Sequence, residues 1–200
     1  MGKIKNVVFD LGGVLIDWDP RHYFKKYFAD TEEMEYFLRE ICSPGWNTQM
    51  DAGKPFEEGV RELQAEHPEY SEAIEHFWKH WADMLGGPID ESVKLLKELK
   101  AEDYRVFALT NWSAETFPVA LERYDFLKLF EGIVVSGKVK VAKPDKKIFQ
   151  YLLNTYEIDA RETVFIDDNK ANIATASSLG FHAFLFDTAA NVQSEIAKLK

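Results

Sequence analysis

Apolar residues along this chain recur with two different spacings, and the change between them divides the sequence. Residues 4–9 are rich in β-branched and aromatic side chains and end in a continuous apolar run, which predicts a buried strand. From about residue 17 to about residue 88 the apolar positions follow helical spacing. The pattern predicts helices over residues 20–29, 31–41, 55–66 and 71–85, with a break at Ser43-Pro44-Gly45 and no strand.

From residue 89 onward, helices alternate with short apolar strands. We predict strands over residues 104–109, 132–135, 163–166 and 182–186, and helices over residues 89–100, 113–124, 144–156, 170–179 and 191–199. Such alternation implies right-handed βαβ units and a parallel sheet, which the first strand should join. The sequence therefore predicts an α/β fold. Its core is a Rossmann-like doubly wound parallel sheet from residues 1–16 and 89–200, and residues 17–88 form an all-helical insertion.

Composition and charge argue against several classes of function. The formal net charge of the 200 residues is -10 and no basic stretch stands out, which argues against binding to nucleic acid or to anionic membranes. No apolar segment is long enough to span a membrane. Cys42 is the single cysteine, so no intrachain disulfide can form. We therefore expect a soluble protein in a reducing compartment, the cytoplasm.

Chemistry-bearing residues follow three of the predicted strands. The first strand ends at Asp10, which precedes Gly12-Gly13; the second ends at Thr110-Asn111, and the fourth at Asp167-Asp168. Lys143 lies in the loop after the third strand. Ligands bind outside the carboxyl ends of parallel strands, near the point where the strand order reverses. We expect these side chains to converge on one edge of the sheet.

Charge arithmetic indicates what such a cluster needs. Two carboxylates about 4 Å apart repel by roughly 4 kcal/mol near a protein surface, so Asp10 and Asp168 could share a site only around a dication. Mg²⁺ prefers such hard oxygen ligands, and the Gly12 carbonyl could add one. Taken singly, each residue has a structural alternative: Thr110 as a strand former, Lys143 as a solvated helix start, and Asp167-Asp168 as a helix cap.

Four ordered segments together resemble the motifs of the haloacid dehalogenase (HAD) superfamily. They are Phe9-Asp10-Leu11-Gly12-Gly13-Val14-Leu15, Leu109-Thr110-Asn111, Lys143-Pro144-Asp145 and Phe165-Ile166-Asp167-Asp168-Asn169. The insertion at residues 17–88 resembles the helical cap domain of that family. The sequence is most similar to sugar-phosphatase-like members whose first motif also reads Asp-Leu-Gly.

The resemblance implies a Mg²⁺-dependent phosphatase that acts on a small phosphorylated metabolite, such as a sugar phosphate. Asp10 would be the nucleophile that forms an aspartyl-phosphate, and Lys143 would hold it against the transferring group. The implied phosphate-binding residues are Leu11, Gly12, Thr110, Asn111 and Lys143. The implied metal ligands are Asp10, the Gly12 carbonyl, Asp168 and, in a supporting or water-mediated role, Asp167.

Two positions depart from the family pattern. Most phosphatases of the superfamily carry an acid two residues after the nucleophile, where this chain has Gly12; Asn172 also stands where many members carry an acid. Loss of a proton donor typically costs 10²–10⁴ in rate. The alternative is therefore a catalytically weak phosphate-binding or interaction module. A metal-independent 2-haloacid dehalogenase is less favoured, because that branch needs no second acid beside Asp167.

Other polar and aromatic residues carry weaker hypotheses. His76 and His80 are four residues apart on a predicted helix, a spacing that suits a metal, but a surface pair is the better interpretation. Trp46 and Asn47 could face a substrate and Trp112 could shape the mouth of a pocket, with packing as the alternative for each.

Overall fold

The computed structural model describes residues 3–199, and a five-stranded parallel sheet lies at its centre. In spatial order its strands are β5 (Gly132–Val135), β4 (Arg105–Thr110), β1 (Asn6–Phe9), β6 (Thr163–Asp167) and β7 (His182–Leu185). The predicted α/β fold with a parallel sheet is confirmed. A separate antiparallel pair joins β2 (Ile16–Trp18) to β3 (Leu85–Pro88).

The strand order reverses at β1. The chain leaves β1 for β4 and β5 on one side, and later returns to pair β6 on the other side. The carboxyl ends of β4, β1 and β6 are therefore neighbours at the switch point of the sheet, where open α/β folds bind ligands.

Residues 3–199 contain eleven α-helices, five between β2 and β3 and six after β3. Between β2 and β3 lie α1 (Arg21–Tyr27), α2 (Thr31–Tyr36, continued by a π-helical turn at Phe37–Ile41), α3 (Pro44–Asp51), α4 (Phe56–Glu66) and α5 (Ser71–Lys79). After β3 come α6 (Asp90–Ala101), α7 (Phe117–Arg123), α8 (Ser136–Val139), α9 (Lys146–Tyr156), α10 (Lys170–Ser178) and α11 (Ala189–Ala197). Among these residues no helix has the length and apolar content that a membrane span requires.

Alternate side chains of β1 pack on opposite faces of the sheet. Val7 and Phe9 belong to the cluster that also contains residues of α6, α11 and the helices between β2 and β3, whereas Val8 packs with residues of α9 and α10. Both faces are thus covered, which explains why β1 reads as an apolar run rather than an alternation.

The stretch from residue 17 to residue 88 differs from the prediction in three places. Short strands lie at both of its ends, so the prediction of no strand was wrong there; Gly86-Gly87 belongs to β3 instead of simply ending a helix. The predicted helix over 71–85 stops at Lys79 and is followed by a 3-10 turn. The predicted break at Ser43-Pro44-Gly45 begins α3, because Ser43 Oγ accepts a hydrogen bond from Trp46 N at 3.2 Å.

The first residue of one helix after β4 was also predicted wrongly. The predicted helix over 113–124 begins only at Phe117, since Ser113 Oγ accepts from Glu115 N at 3.2 Å and holds a turn before the helix.

Ser136 ties the end of α3 to the loops that follow β4 and β5. Its Oγ donates to the carbonyl of Asp51 at 2.5 Å and accepts from the backbone N–H of Trp112 at 2.9 Å. The side chain is fully buried. This hydroxyl therefore fixes a helix of the insertion relative to the edge of the sheet where the motifs lie.

Ser136→Ala should lower the free energy of unfolding by about 2 kcal/mol, because it leaves a buried N–H and a carbonyl without their partner. Ser178→Ala is the matched control: Ser178 is exposed in α10 and bonds only within its own helix turn. Urea denaturation of both variants measures the difference. Equal stabilities would show that Ser136 does not hold the two segments together.

Candidate functional site

The structure brings together the acids that the sequence singled out. Asp10 follows β1 directly, Asp167 ends β6, and Asp168 is the next residue. The backbone N–H of Asp10 donates to the carbonyl of Ile166 at 2.8 Å, which continues the β1–β6 pairing up to the acids. One carboxylate oxygen from each acid lies within 4.8 Å of the others.

Lys143 lies between two of these carboxylates. Its Nζ is 3.0 Å from Asp10 Oδ2 and 2.7 Å from Asp167 Oδ2, and it also donates to the carbonyl of Leu109 at 2.8 Å. The side chain has no solvent exposure. All three donor positions of the ammonium are thereby used, and the cation is held rigidly at the switch point.

Asn111 fixes the loop that carries Lys143. Its Nδ2 donates to the carbonyl of Lys143 at 2.9 Å, and its Oδ1 accepts from the backbone N–H of Lys143 at 2.8 Å. The family resemblance implies that Asn111 binds phosphate; its side chain also holds the Lys143 loop, which residue spacing did not indicate. The amide works as a clamp because it offers one donor and one acceptor.

Asp167 has hydrogen-bond partners on both oxygens. Oδ1 accepts from the N–H of Asn169 at 2.8 Å and from Asn172 Nδ2 at 2.9 Å, and Oδ2 accepts from Lys143. The residue is fully buried. These contacts favour the supporting role over direct ligation, and they show that Asn172 orients the carboxylate of Asp167.

The turn after Asp10 leaves room for a ligand. Gly13 has φ +72°, and a Cβ there would collide with the carboxylate of Asp168. A Cβ at Gly12 would meet no atom within 4 Å, so this position faces open space. The N–H of Leu11 donates to Asp10 Oδ1 at 2.7 Å, while Thr110 is buried at the end of β4.

Burial and charge act in opposite directions on this cluster. Burial raises the pKa of Asp10 to about 7, against the attraction of Lys143. Burial alone would lower the pKa of Lys143, but the fields of Asp10 and Asp167 outweigh it and raise the value. Three carboxylates face one ammonium, so the cluster is short of positive charge when all are ionised. Hard oxygen donors around such a deficit fit a divalent cation such as Mg²⁺.

A cleft of about 700 Å³ opens above the cluster. Residues from the helices between β2 and β3 form much of its wall, including Arg21, Glu35, Asn47 and Asp51. Of these only Asn47 was singled out from the sequence. Helical periodicity marks buried apolar faces, and these polar residues lie outside that pattern, so nothing in the sequence distinguished them from solvated positions.

The remaining candidates pack against neighbouring side chains, and one of them also lines a cavity. Trp46 is buried and donates its indole N–H to the carbonyl of Gly59 at 3.2 Å. Trp112 is buried against Trp81 and Phe117, and it also lines a small cavity of about 60 Å³ beside Gly12. His76 Nδ1 is 2.7 Å from the hydroxyl of Tyr23, and the ring of His80 stacks on Tyr23 with centroids 4.5 Å apart. Among residues 3–199 neither histidine joins a cluster able to hold a metal.

Open α/β sheets bind their ligands at the switch point, so the charged cluster there marks this chain as a ligand-binding α/β protein. The chain belongs to the haloacid dehalogenase-like hydrolases, whose family model matches residues 4–180. This confirms the predicted superfamily and the prediction of a hydrolase. The finer resemblance to sugar-phosphatase-like members with an Asp-Leu-Gly motif stays a prediction.

Similar proteins include phosphatases of different substrate classes. The chain is 28% identical to the sesquiterpene phosphatase astK of Aspergillus oryzae, with 88% of this chain and 86% of that protein covered. It is 22% identical to a D-ribitol-5-phosphate phosphatase of Bacteroides thetaiotaomicron, over 96% and 97% of the two chains. A HAD-family enzyme of B. thetaiotaomicron, solved as a mutant with magnesium and inorganic phosphate, superposes with a TM-score of 0.72 at 25% identity, covering 92% and 95% of the chains.

Removing the buried cation should destabilise the protein in a pH-dependent way. In Lys143→Met the carboxylates of Asp10 and Asp167 lose their counter-charge, so the free energy of unfolding should fall by about 3 kcal/mol at pH 8 without divalent cations. The loss should shrink towards pH 5, because burial raises the pKa of Asp10 to about 7 and its protonation then removes one of the unpaired charges. Chemical denaturation at both pH values measures it.

Lys147→Met is the control for that experiment, since Lys147 is exposed in α9. It should change stability by less than about 0.5 kcal/mol. If the two variants were equally stable at pH 8, the ion pairs of Lys143 would not contribute as described.

Proposed function

We propose that this protein is a Mg²⁺-dependent phosphatase that hydrolyses a small phosphorylated metabolite through an aspartyl-phosphate on Asp10. The observation that carries the proposal is the position of Lys143, which reaches Asp10 and Asp167 within 3.0 Å while one oxygen of Asp168 completes the acidic cluster. Membership of a hydrolase family and similarity to phosphatases support it.

The electrostatics favour an anionic substrate despite the acidic net charge. Phosphoryl transfer depends on positioning and charge stabilisation, and a carboxylate approaches a phosphate only where cations offset the repulsion. Lys143 supplies one fixed positive charge. Asp10, the Gly12 carbonyl and Asp168 would hold Mg²⁺, with Asp167 in support, and the bound ion would supply the remaining positive charge next to the transferring group.

Each site residue then has a task in the proposed reaction. Asp10 Oδ attacks phosphorus, and the ammonium of Lys143 holds that carboxylate in place. The backbone of Leu11, Gly12 and Asn111 and the hydroxyl of Thr110 bind the phosphate oxygens. Asp10 Oδ2 already pairs with Lys143 and Oδ1 accepts from Leu11 N, so the carboxylate is oriented before substrate arrives.

We further propose that residues 17–88 act as a cap over a core of residues 1–16 and 89–200. In support, β2 and β3 pair where the chain leaves and re-enters the core, and five helices lie between them. A cap that closes would exclude water from the first step and select the substrate.

The chain's single cysteine, Cys42, is buried among these helices. A free cysteine suits the reducing cytoplasm, which we propose as the location of this protein.

Polar groups in the cleft favour a hydroxylated substrate over a hydrocarbon one. Arg21 pairs with Glu35 at 2.6 Å, and both line the cleft together with Asn47 and Thr48. Buried Asn47 Oδ1 accepts no hydrogen bond from residues 3–199, so a substrate hydroxyl could use it. A sugar or polyol phosphate offers a phosphate group to the charged cluster and hydroxyl groups to the polar wall of the cleft.

A different class of function is favoured by one observation. Gly12 offers no side chain next to the nucleophile, which would suit a phosphate-binding module with little turnover. The metal-independent dehalogenase differs in its product, because it would release halide from 2-chloropropionate.

Wild-type protein should hydrolyse 4-nitrophenyl phosphate and members of a sugar-phosphate panel with Mg²⁺, and a chelator should abolish the activity. Asp10→Asn should reduce kcat by at least about 10³-fold, because the amide cannot attack phosphorus. Asp125→Asn removes an exposed carboxylate and should leave kcat unchanged. Released phosphate and chloride are measured in parallel.

Absence of phosphate release from every ester would favour the binding module. Chloride release that persists in chelator would favour the dehalogenase. Undiminished turnover in Asp10→Asn would contradict the proposed nucleophile.

A further inference from the structure

Six acidic residues line the cleft, and within residues 3–199 two of them form no ion pair. Asp10 and Asp168 belong to the acidic cluster. The other four are Asp17, which is 2.9 Å from His22; Asp19 and Glu35, which pair with Arg21 at 3.2 and 2.6 Å; and Asp51. Within residues 3–199 Asp51 forms no ion pair. Asp168, the other carboxyl group without an ion pair in this part of the chain, belongs to the acidic cluster that would hold a divalent cation, so Asp51 is the remaining candidate for proton transfer.

The backbone of Asp51 is anchored to the sheet side of the cleft. Asp51 ends α3, and its carbonyl accepts from Ser136 Oγ at 2.5 Å. A Cβ at Gly53 would lie 2.9 Å from Lys140 Cγ, so the chain packs closely against the segment after α8. The N–H of Phe56 donates to Glu115 Oε1 at 3.0 Å. These contacts hold the end of α3 next to the loops that follow β4 and β5.

Asp51 also lines a second, smaller cavity, which it shares with Gly12. This cavity has a volume of about 60 Å³, and three tryptophans form part of its wall: Trp18, Trp81 and Trp112. The space left open by the missing side chain at position 12 is thus bordered by a carboxyl group from the insertion. Such apolar walls favour the protonated form of a carboxyl group.

The surroundings of Asp51 agree with this expectation. Burial raises the pKa of Asp51 to about 7, although the backbone amide of Ser113 and the charge of Lys143 favour the ionised form. Asn47 Nδ2 donates to Asp51 Oδ2 at 3.1 Å and orients the group. A carboxyl group of this kind can both release and accept a proton near neutral pH.

Hydrolysis of an alkyl phosphate needs such a group. When the P–O bond breaks, its electron pair goes to the leaving oxygen, which is a poor leaving group unless it gains a proton. Lys143 is committed to two carboxylates, and Asp167 is bonded on both oxygens. Gly12 has no side chain that could give a proton.

We propose that Asp51 is the general acid and base of this enzyme, an inference that rests on the proposed phosphatase function. In the first step Asp10 Oδ bonds to phosphorus, the bond to the leaving oxygen breaks, and Asp51 gives its proton to that oxygen. In the second step the Asp51 carboxylate takes a proton from water. The water oxygen bonds to phosphorus, the bond to Asp10 breaks, and inorganic phosphate leaves with Asp51 again protonated.

Comparison of two esters with different leaving groups tests this role. Asp51→Asn keeps the size of the side chain but cannot transfer the proton. With Mg²⁺, kcat/KM for phenyl phosphate should fall by about 10²-fold or more, because kcat/KM covers the transfer to Asp10 and not the second step that the esters share. For 4-nitrophenyl phosphate, whose leaving group needs little protonation, kcat/KM should fall less than about tenfold. Asp83→Asn is the control, since Asp83 is exposed and lies outside the cleft.

The possible results distinguish a failure of the proposed role of Asp51 from a failure of the proposed phosphatase function. Equal losses of kcat/KM on the two esters, or no loss of kcat/KM on phenyl phosphate, would overturn the role of Asp51 as proton donor and leave the proposed function standing. If wild-type protein released phosphate from neither ester, the proposed function would fail and this inference with it. Circular dichroism and thermal unfolding of Asp51→Asn show whether a loss of rate comes from loss of the fold.

Discussion

The contact of buried Lys143 with Asp10 and Asp167 is the interaction on which the site depends. One ammonium at 3.0 and 2.7 Å from two carboxylates draws the ends of β1 and β6 together and fixes the loop before α9 against both. Buried charges persist only when paired and hydrogen-bonded, so the arrangement requires all three residues at once. The acids still outnumber the cation, and this deficit, rather than any single residue, makes the edge of the sheet receptive to a divalent cation.

Two small polar side chains connect that ion cluster to the rest of the molecule. Asn111 clamps the backbone of Lys143 with two hydrogen bonds, and Ser136 joins the loop after β4 to the end of α3. The residues that border the cleft therefore come from the sheet and from the inserted helices together. Substrate choice and chemistry can be divided between the two, because the sheet carries the charged cluster and the helices carry most of the other polar groups.

The sequence predicted the sheet and the cluster for physical reasons. Buried parallel strands read as apolar runs, and acids directly after such runs, as at Asp10 and Asp167, stand out because isolated charge is costly there. The strands β2 and β3 were missed because each is short and the second contains Gly86-Gly87. Asp51 was missed because its environment is built by α3, Trp112 and Ser136 from separate parts of the chain, which no local pattern records.

A crystal structure with Mg²⁺ and beryllium trifluoride, which mimics a phosphoryl group on a carboxylate, tests the central claim most directly. We expect the beryllium to be bonded to a carboxylate oxygen of Asp10, with Lys143 still in contact with that side chain and Mg²⁺ coordinated by Asp10 and Asp168. Electron density for the mimic elsewhere in the cleft, or Asp168 turned away from the ion, would contradict the account.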